Sequence, residues 1–364
     1  MRCLLSRPGI VSALGKGVDE TARGLFAGDV SGMKPATLPG GDVTMFGETG
    51  LKGIAAIVDE AMEQLRPELE NLGVRPERLG AVIGTSNSTM EEFTSNPDRI
   101  DMAFPAERLK TKWGVRGPAW SVSTACSSSA KVFASARRLL AEGVCDAVLA
   151  GGADAKTRIV CGGFNALEAL SPRLARPLCA DRDGINLGEG AAIFIMRRGG
   201  EAEGIELLGV GESSDAHHLT APDPTGAGAE AAMRAALEDA GLEPHDIGYI
   251  NLHGTGTAYN DAMECAAVRR VFGDSVPCSS TKPMTGHCLG AAGAIEAALA
   301  WIALSSGSGL PPHAASPVDR SLAPFPVPGP GNSLEADAIL SNSFAFGGSN
   351  ASVILGRTAC GRMR

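Results

Sequence analysis

Residues 289–307, "LGAAGAIEAALAWIALSSG", constrain the fold more than any other stretch of this chain. They read as a helix whose only charge is Glu296, and a helix that is apolar all round has to be buried. Its alanines and glycines let neighbouring backbones approach closely. The composition extends the point: 47 glycines and only 4% aromatic residues, in a chain that is 44% hydrophobic, describe a core of close-packed backbones and alanine-rich helices. At 364 residues the chain suffices for one large domain or two ordinary ones.

Around that helix, short apolar strands alternate with amphipathic helices, an α/β pattern. Strands are expected at 79–86, 145–154, 191–198 and 247–254, and a helix at 228–241. Residues 336–356 read as a hairpin centred on Phe346-Gly347-Gly348. Two halves resemble each other, 1–200 and 201–364, each with strands, a buried small-residue helix and a terminal strand element. The Pro- and Gly-rich stretches 217–228 and 310–333 are loops. The second is long enough to need a fixed path over the surface.

Several classes are excluded. A net charge of −9 does not suit a general nucleic-acid binder. No phosphate-binding glycine motif follows a strand. The nine cysteines form no CxxC pair and are odd in number, which favours reduced thiols in a cytosolic protein over a disulfide framework or a zinc site. Arg7 and Pro8 interrupt any signal-peptide core, and no apolar run is read as reaching membrane-spanning length.

"SVSTACSSSAKV" (121–132) sets Cys126 where a strand turns into a helix, read from Lys131 to Glu142, with only small neighbours. A helix N-terminus lowers a thiol's pKa and so favours the nucleophilic thiolate; the other reading is one more buried core cysteine. Such a nucleophile needs partners. Of six histidines, His217 and His218 read as structural or solvent-facing loop residues, and His245 and His313 as surface residues. His253 in "HGTGT" and His287 in "GHCLGAAGA" stand at the ends of regular elements, where α/β active sites form. Lys282 lies just before His287.

"TACSSS", "PLCADRDGINLGEGAAIFIM", "NLHGTGTAYNDAMECAAV", "STKPMTGHCLGAAGAIEAAL" and "NSFAFGGSNASVIL" together resemble the elongating β-ketoacyl-[acyl-carrier-protein] synthases of the thiolase superfamily, in order from about residue 80 to the C-terminus. The resemblance implies a layered αβαβα fold and decarboxylative Claisen condensation of an acyl-carrier-bound group with malonyl-carrier. It implies no organic cofactor, since the phosphopantetheine arrives on the carrier. Cys126 would accept the acyl group, and the N–H groups of Cys126 and Phe346 would form the oxyanion hole. Phe346, with Phe344 close by, would gate the pocket. His253 and His287 would bind the malonyl thioester carbonyl. Lys282, paired with Glu296, would fix His287, and Thr255 and Thr257 would hold the phosphopantetheine arm. Asn251, Asp261 and Glu264 would be supporting groups. No metal site is read, although the resemblance leaves open a structural cation near Asn251, Glu264 and Glu296. The partners implied are an acyl carrier protein and a second synthase-like subunit, identical or homologous.

Two alternatives stay open: a thiolase-like CoA acyltransferase, against which the missing second catalytic cysteine argues, and a catalytically silent chain-length-factor-like partner subunit, against which Cys126 argues. Departures from the family are a shortened region before Cys126 and Ala345 in place of a glycine. Arg108, Lys110, Lys112 and Arg116 form the nearest basic cluster for a carrier. Residues 207–228 resemble a branch used in aryl-polyene-type polyketide pathways, with fatty acid synthesis the other setting.

Overall fold

The computed structural model describes residues 1, 3–91, 100–199, 203–307, 309–333 and 337–358. Residues 92–99, within the shortened stretch, and Cys360 lie outside them.

Each half builds the same four-strand arrangement. In the first, Leu79–Gly84 lies between Ala119–Val122 and Ala147–Asp154, all parallel, and Gly190–Arg198 joins Ala147–Asp154 antiparallel. In the second, Ile247–Asn251 lies between Cys278–Ser279 and Ala338–Phe344, all parallel, and Ser349–Arg357 joins Ala338–Phe344 antiparallel. Ile205–Ser214 pairs with Ser349–Arg357, and Cys3–Leu5 pairs with both Ile205–Ser214 and Gly190–Arg198. The N-terminal strand thus sews the two halves into one hydrogen-bonded path of strands.

Side chains alternate across a strand, and the burial pattern converts this into layers. One face of the first half, including Ala81, Ile83, Leu149, Ile193 and Ile195, packs on the helix Gly53–Glu70 through Ile57, Val58 and Met62. Its other face, including Val82, Val148, Ala150, Phe194 and Met196, packs on Ser128–Ala141 and Ala292–Ser306. Ile339, Val353 and Leu355 of the second half close over the same two helices. Ile250, Leu340 and Ile354 face outward onto Ala227–Ala240 and Ala258–Phe272. The order is αβαβα, with two helices at the centre.

Those central helices explain the glycine-rich, ring-poor composition. A Cβ on Gly84 would sit 2.4 Å from the Ser129 backbone, and one on Gly293 would sit 2.7 Å from the Ala130 nitrogen. By length and composition Leu289–Ser306 could cross a bilayer, contrary to the sequence reading, but 83% of it is buried inside this fold. The Pro-rich segment is anchored by fully buried Ala323 and Phe325. His313 on it is half-buried, not a surface residue: its ring accepts the Ser280 N–H at 3.5 Å and meets the Pro177 carbonyl at 3.0 Å. Burial pushes its pKa down to about 4. Its sequence neighbours Pro312 and Ala314 give no hint of this, because both partners come from distant segments.

Candidate active site

The strand Ala119–Val122 ends one short step before the nucleophile. Ala125 takes a left-handed φ of +52°, and the helix Ser128–Ala141 starts just behind Cys126, three residues earlier than the sequence suggests. The three serines each use their hydroxyl. Ser127 donates to the Thr124 carbonyl at 2.8 Å, and Ser128 donates to that of Ala125 at 2.6 Å while accepting the Thr124 N–H at 2.9 Å. Ser129 accepts the Ala294 N–H at 2.9 Å, capping the other central helix. Polar side chains this small can satisfy a strained buried turn without occupying the space in front of the thiol.

Cys126 is 6% exposed. Burial pushes its thiol up to about 12, and the opposing pull of Lys282 and of the Phe346 and Cys126 N–H groups is smaller. This corrects the expectation of a helix-lowered pKa: desolvation outweighs the helix terminus, and the resting side chain is a protonated thiol.

Both expected histidines converge on it. His253 follows Ile247–Asn251, and Glu264 in the next helix fixes its turn by accepting the His253 and Gly254 N–H groups at 2.7 and 2.8 Å. His287 hangs between the short helix Lys282–Thr285 and the central helix; its N–H donates to the Asn186 carbonyl at 2.7 Å, and its carbonyl accepts the Gly188 N–H at 3.0 Å. The rings meet edge-to-face with centroids 5.2 Å apart. Cys126 Sγ and one nitrogen from each ring lie within 4.8 Å of one another. Burial, reinforced by Lys282, holds both imidazoles well below the usual histidine range, so they are neutral; His287 adds to the effect on His253. Nδ1 of His253 and both ring nitrogens of His287 are buried without a partner among the described residues. Buried polar atoms are rarely left so, and one nitrogen of each ring lies within 4.8 Å of the Cys126 sulfur.

The remaining expected residues fall into place around them. Lys282 pairs with Glu296 at 2.6 Å, both almost fully buried. Thr255 and Thr257 hydroxyls are 2.9 Å apart on the wall of a 410 Å³ cavity that also takes in Cys126, His253, His287, Phe344 and Phe346. Phe344 lies 6.3 Å from His253, and Phe346 stacks on Phe164 at 5.7 Å. Ala345 has φ −93°, which suits any residue, so the missing glycine costs nothing in backbone strain. Asp261 holds the Gly256 and Leu178 N–H groups, and Asn251 accepts from Thr281.

Of the groups suggested for a cation, Glu264 is committed to backbone N–H groups and Asn342 and one Glu296 oxygen to Lys282, while Glu296 Oε2 and Asn251 Nδ2 are buried without a partner among the described residues. In the basic cluster Arg108 and Lys112 share Asp59 and Lys110 meets Glu107, so two carboxylates face the four cations Arg108, Lys110, Lys112 and Arg116. Two buried groups escaped the sequence reading. Asp154, at the end of its strand, accepts from Thr85, Ser86, Asn87 and Gly290, joining three segments behind the cysteine. Asn186 braces the Arg173 and Ala175 backbone while its own carbonyl holds His287. A lone carboxylate closing an apolar strand was the available signal for Asp154.

Comparison with known proteins agrees with this geometry. Residues 54–202 match the beta-ketoacyl synthase N-terminal domain, and residues 205–315 match its C-terminal domain. The 3-oxoacyl-[acyl-carrier-protein] synthase 2 of Coxiella burnetii is 33% identical, with 98% of each chain covered; that of Rhizobium meliloti is 34% identical, covering 98% of this chain and 99% of its own. Among solved structures, the ketosynthase (ApeO) in complex with its chain length factor (ApeC) from Xenorhabdus doucetiae superposes with TM-score 0.91 and 37% identity over 98% of each chain. A beta-ketoacyl synthase from Burkholderia phymatum gives 0.86 and 28% identity over 98% of this chain and 99% of that one. Fold and relatives define the class: a condensing enzyme, a carbon–carbon bond-forming acyltransferase of the thiolase-like fold. The chain belongs to the β-ketoacyl synthase family, and its activity is that of a β-ketoacyl-[acyl-carrier-protein] synthase.

Proposed function

We propose that the chain elongates carrier-bound acyl groups through an acyl-Cys126 intermediate, with His253 and His287 serving the malonyl half-reaction. The observation that carries this is the convergence of one thiol and two neutral imidazoles, all buried, at the end of a single cavity. Cys126 Sγ attacks the acyl thioester carbonyl, its proton passes to a neighbouring imidazole and on to the departing carrier thiolate. The Phe346 and Cys126 N–H groups already lie within hydrogen-bonding reach of the sulfur, which suits them to the oxyanion of the tetrahedral intermediate. Malonyl-carrier then loses carbon dioxide, and the electrons of that bond form an enolate whose oxygen takes N–H bonds from His253 and His287. Two neutral imidazoles can each donate one N–H there, a role that charged or unequal rings would fill less symmetrically. The enolate carbon attacks the acyl carbonyl, and the collapsing intermediate expels the Cys126 thiolate, which takes a proton from water, the one proton the overall reaction consumes.

Lys282 with Glu296 positions His287, Thr255 and Thr257 hold the phosphopantetheine arm, and Phe344 and Phe346 gate the cavity. Glu264, Asp261 and Asn251 support the histidine turn. No organic cofactor enters this chemistry. The partners are an acyl carrier protein and a second synthase-like subunit. The similarity to a ketosynthase solved with its chain length factor supports a homologous subunit, a homodimer being the alternative; the likeness of residues 207–228 to an aryl-polyene-type branch suggests that setting, with fatty acid synthesis the other one. The setting is cytoplasmic.

Intact-protein mass spectrometry tests the reading. Wild type mixed with acyl-carrier should gain one thioester adduct that malonyl-carrier removes with release of carbon dioxide, and Cys126→Ala should gain none. Absence of an adduct on wild type with every acyl donor would refute it.

A further inference from the structure

The large hydrophobic side chains left most exposed among the described residues are Leu219, at 79%, and Tyr259, at 76%; Leu167 is at 50%. They come from three separate segments and gather at one place. Leu167 and Tyr259 line the mouth of the cavity that leads to Cys126. Leu219 directly precedes the lining residues Thr220, Ala221 and Pro222, and its carbonyl accepts the Gly347 N–H at 2.8 Å, which fixes it beside Phe346. Scattered exposed hydrophobics need no explanation, but a cluster around a functional opening marks a contact surface.

Charge on this rim points the same way. Arg182 is turned inward, donating to the Cys179 and Ala258 carbonyls and lying 4.0 Å from Asp261. Asp183 is engaged by Ser171 and Arg173, and Asp215 by Asn350. Glu168 is exposed. Among the described lining residues no Lys or Arg projects freely from the mouth, and no residue of the basic helix Phe104–Trp113 lines the cavity.

We propose that the acyl carrier protein docks on the rim formed by Leu167, Leu219 and Tyr259 through apolar contact, with little help from ion pairs. The inference rests on the reading that Cys126 takes its acyl group from a carrier. A carrier whose arm runs past Thr255 and Thr257 to Cys126 has its body against this rim, and the rim asks for apolar side chains beside the serine that bears the phosphopantetheine.

The test compares two octanoyl donors that share the same reactive thioester: octanoyl-carrier and octanoyl-pantetheine, which lacks the protein body. Cys126 acylation is followed by intact mass for wild type, Leu219→Asp and Tyr259→Ser. Each variant should raise the carrier concentration giving half-maximal rate by roughly tenfold; Leu219→Asp, outside the cavity lining, should leave acylation by octanoyl-pantetheine unchanged, and Tyr259→Ser should weaken the carrier reaction more than the pantetheine one. In wild type, raising NaCl from low to high should change that concentration by no more than about twofold, because screening acts on charges. Unchanged carrier dependence in both variants, an equal loss with both donors, or a salt effect of roughly tenfold would overturn the docking proposal. If wild type is acylated by neither donor, it is the acyl-transfer reading that fails.

Discussion

Glu296 and Asp59, two of the many carboxylates here that meet a lysine or arginine, sit in surroundings that set opposite outcomes. Glu296 meets Lys282 at 2.6 Å with 3% and 2% of their side chains exposed. Asp59 meets Arg108 and Lys112 where 16%, 30% and 41% remain exposed. At the first site burial pushes the carboxyl up and Lys282 pulls it back, while the Lys282 charge also pushes both histidines toward the neutral form. At the second, burial also pushes up, but hydrogen bonds from Arg108, Lys112 and Trp113 outweigh it and bring Asp59 to about 2. A buried pair shapes its neighbours because little solvent screens it; a half-exposed pair mainly cancels itself.

Breaking the buried pair should give the largest effect. Lys282→Met leaves Glu296 in the core without a partner, and such a loss costs about 3–5 kcal/mol, read as a lower urea midpoint. Lys282→Met with Glu296→Leu should recover most of that stability but not the condensation rate. A second effect follows from the neutral histidines. Their folded pKa values lie below the unfolded 6.5, so the unfolded chain binds more protons as pH falls below about 6.5 and stability drops there. Each histidine contributes at most about 1.4 kcal/mol per pH unit. Thermal unfolding of His253→Ala/His287→Ala should show a shallower acid-side loss than wild type; an identical slope would break the comparison.

Smaller still is Gly293→Val, where a side chain meets the Ala130 nitrogen at 2.7 Å and overpacking costs about 1–3 kcal/mol, measurable by denaturant titration. The smallest expected change is Asp59→Asn, at most about 1 kcal/mol. Because the folded pKa of Asp59 is depressed to about 2, its contribution is present above about pH 4 and lost as pH falls from there toward 2. High salt should shrink it, whereas the Lys282 effect should persist.

What the chain discloses follows the same division. Cys126, His253 and His287 are legible because each sits in a local motif at the end of an element, and the all-apolar helix announces its own burial. Lys282 and Glu296 are 14 positions apart on adjoining segments, close enough for sequence to suggest the pair. The protonation state of Cys126 is not legible, since local helix chemistry lowers it and only the assembled core raises it. Asp154 is equally hidden, because its partners lie 66 to 69 and 136 positions away. The surroundings of the Arg108 cluster are hidden for the same reason: Asp59, which Arg108 and Lys112 share, is 49 residues upstream of Arg108.

The division of labour between thiol and histidines is tested most directly by timing two steps separately in His253→Ala and His287→Ala: acylation of Cys126 by acyl-carrier, and carbon dioxide release from malonyl-carrier. Each variant should still become acylated, while its decarboxylation falls by at least about 100-fold, the scale for removing one oxyanion donor. Decarboxylation at the wild-type rate in either variant, with acylation lost instead, would contradict the assignment.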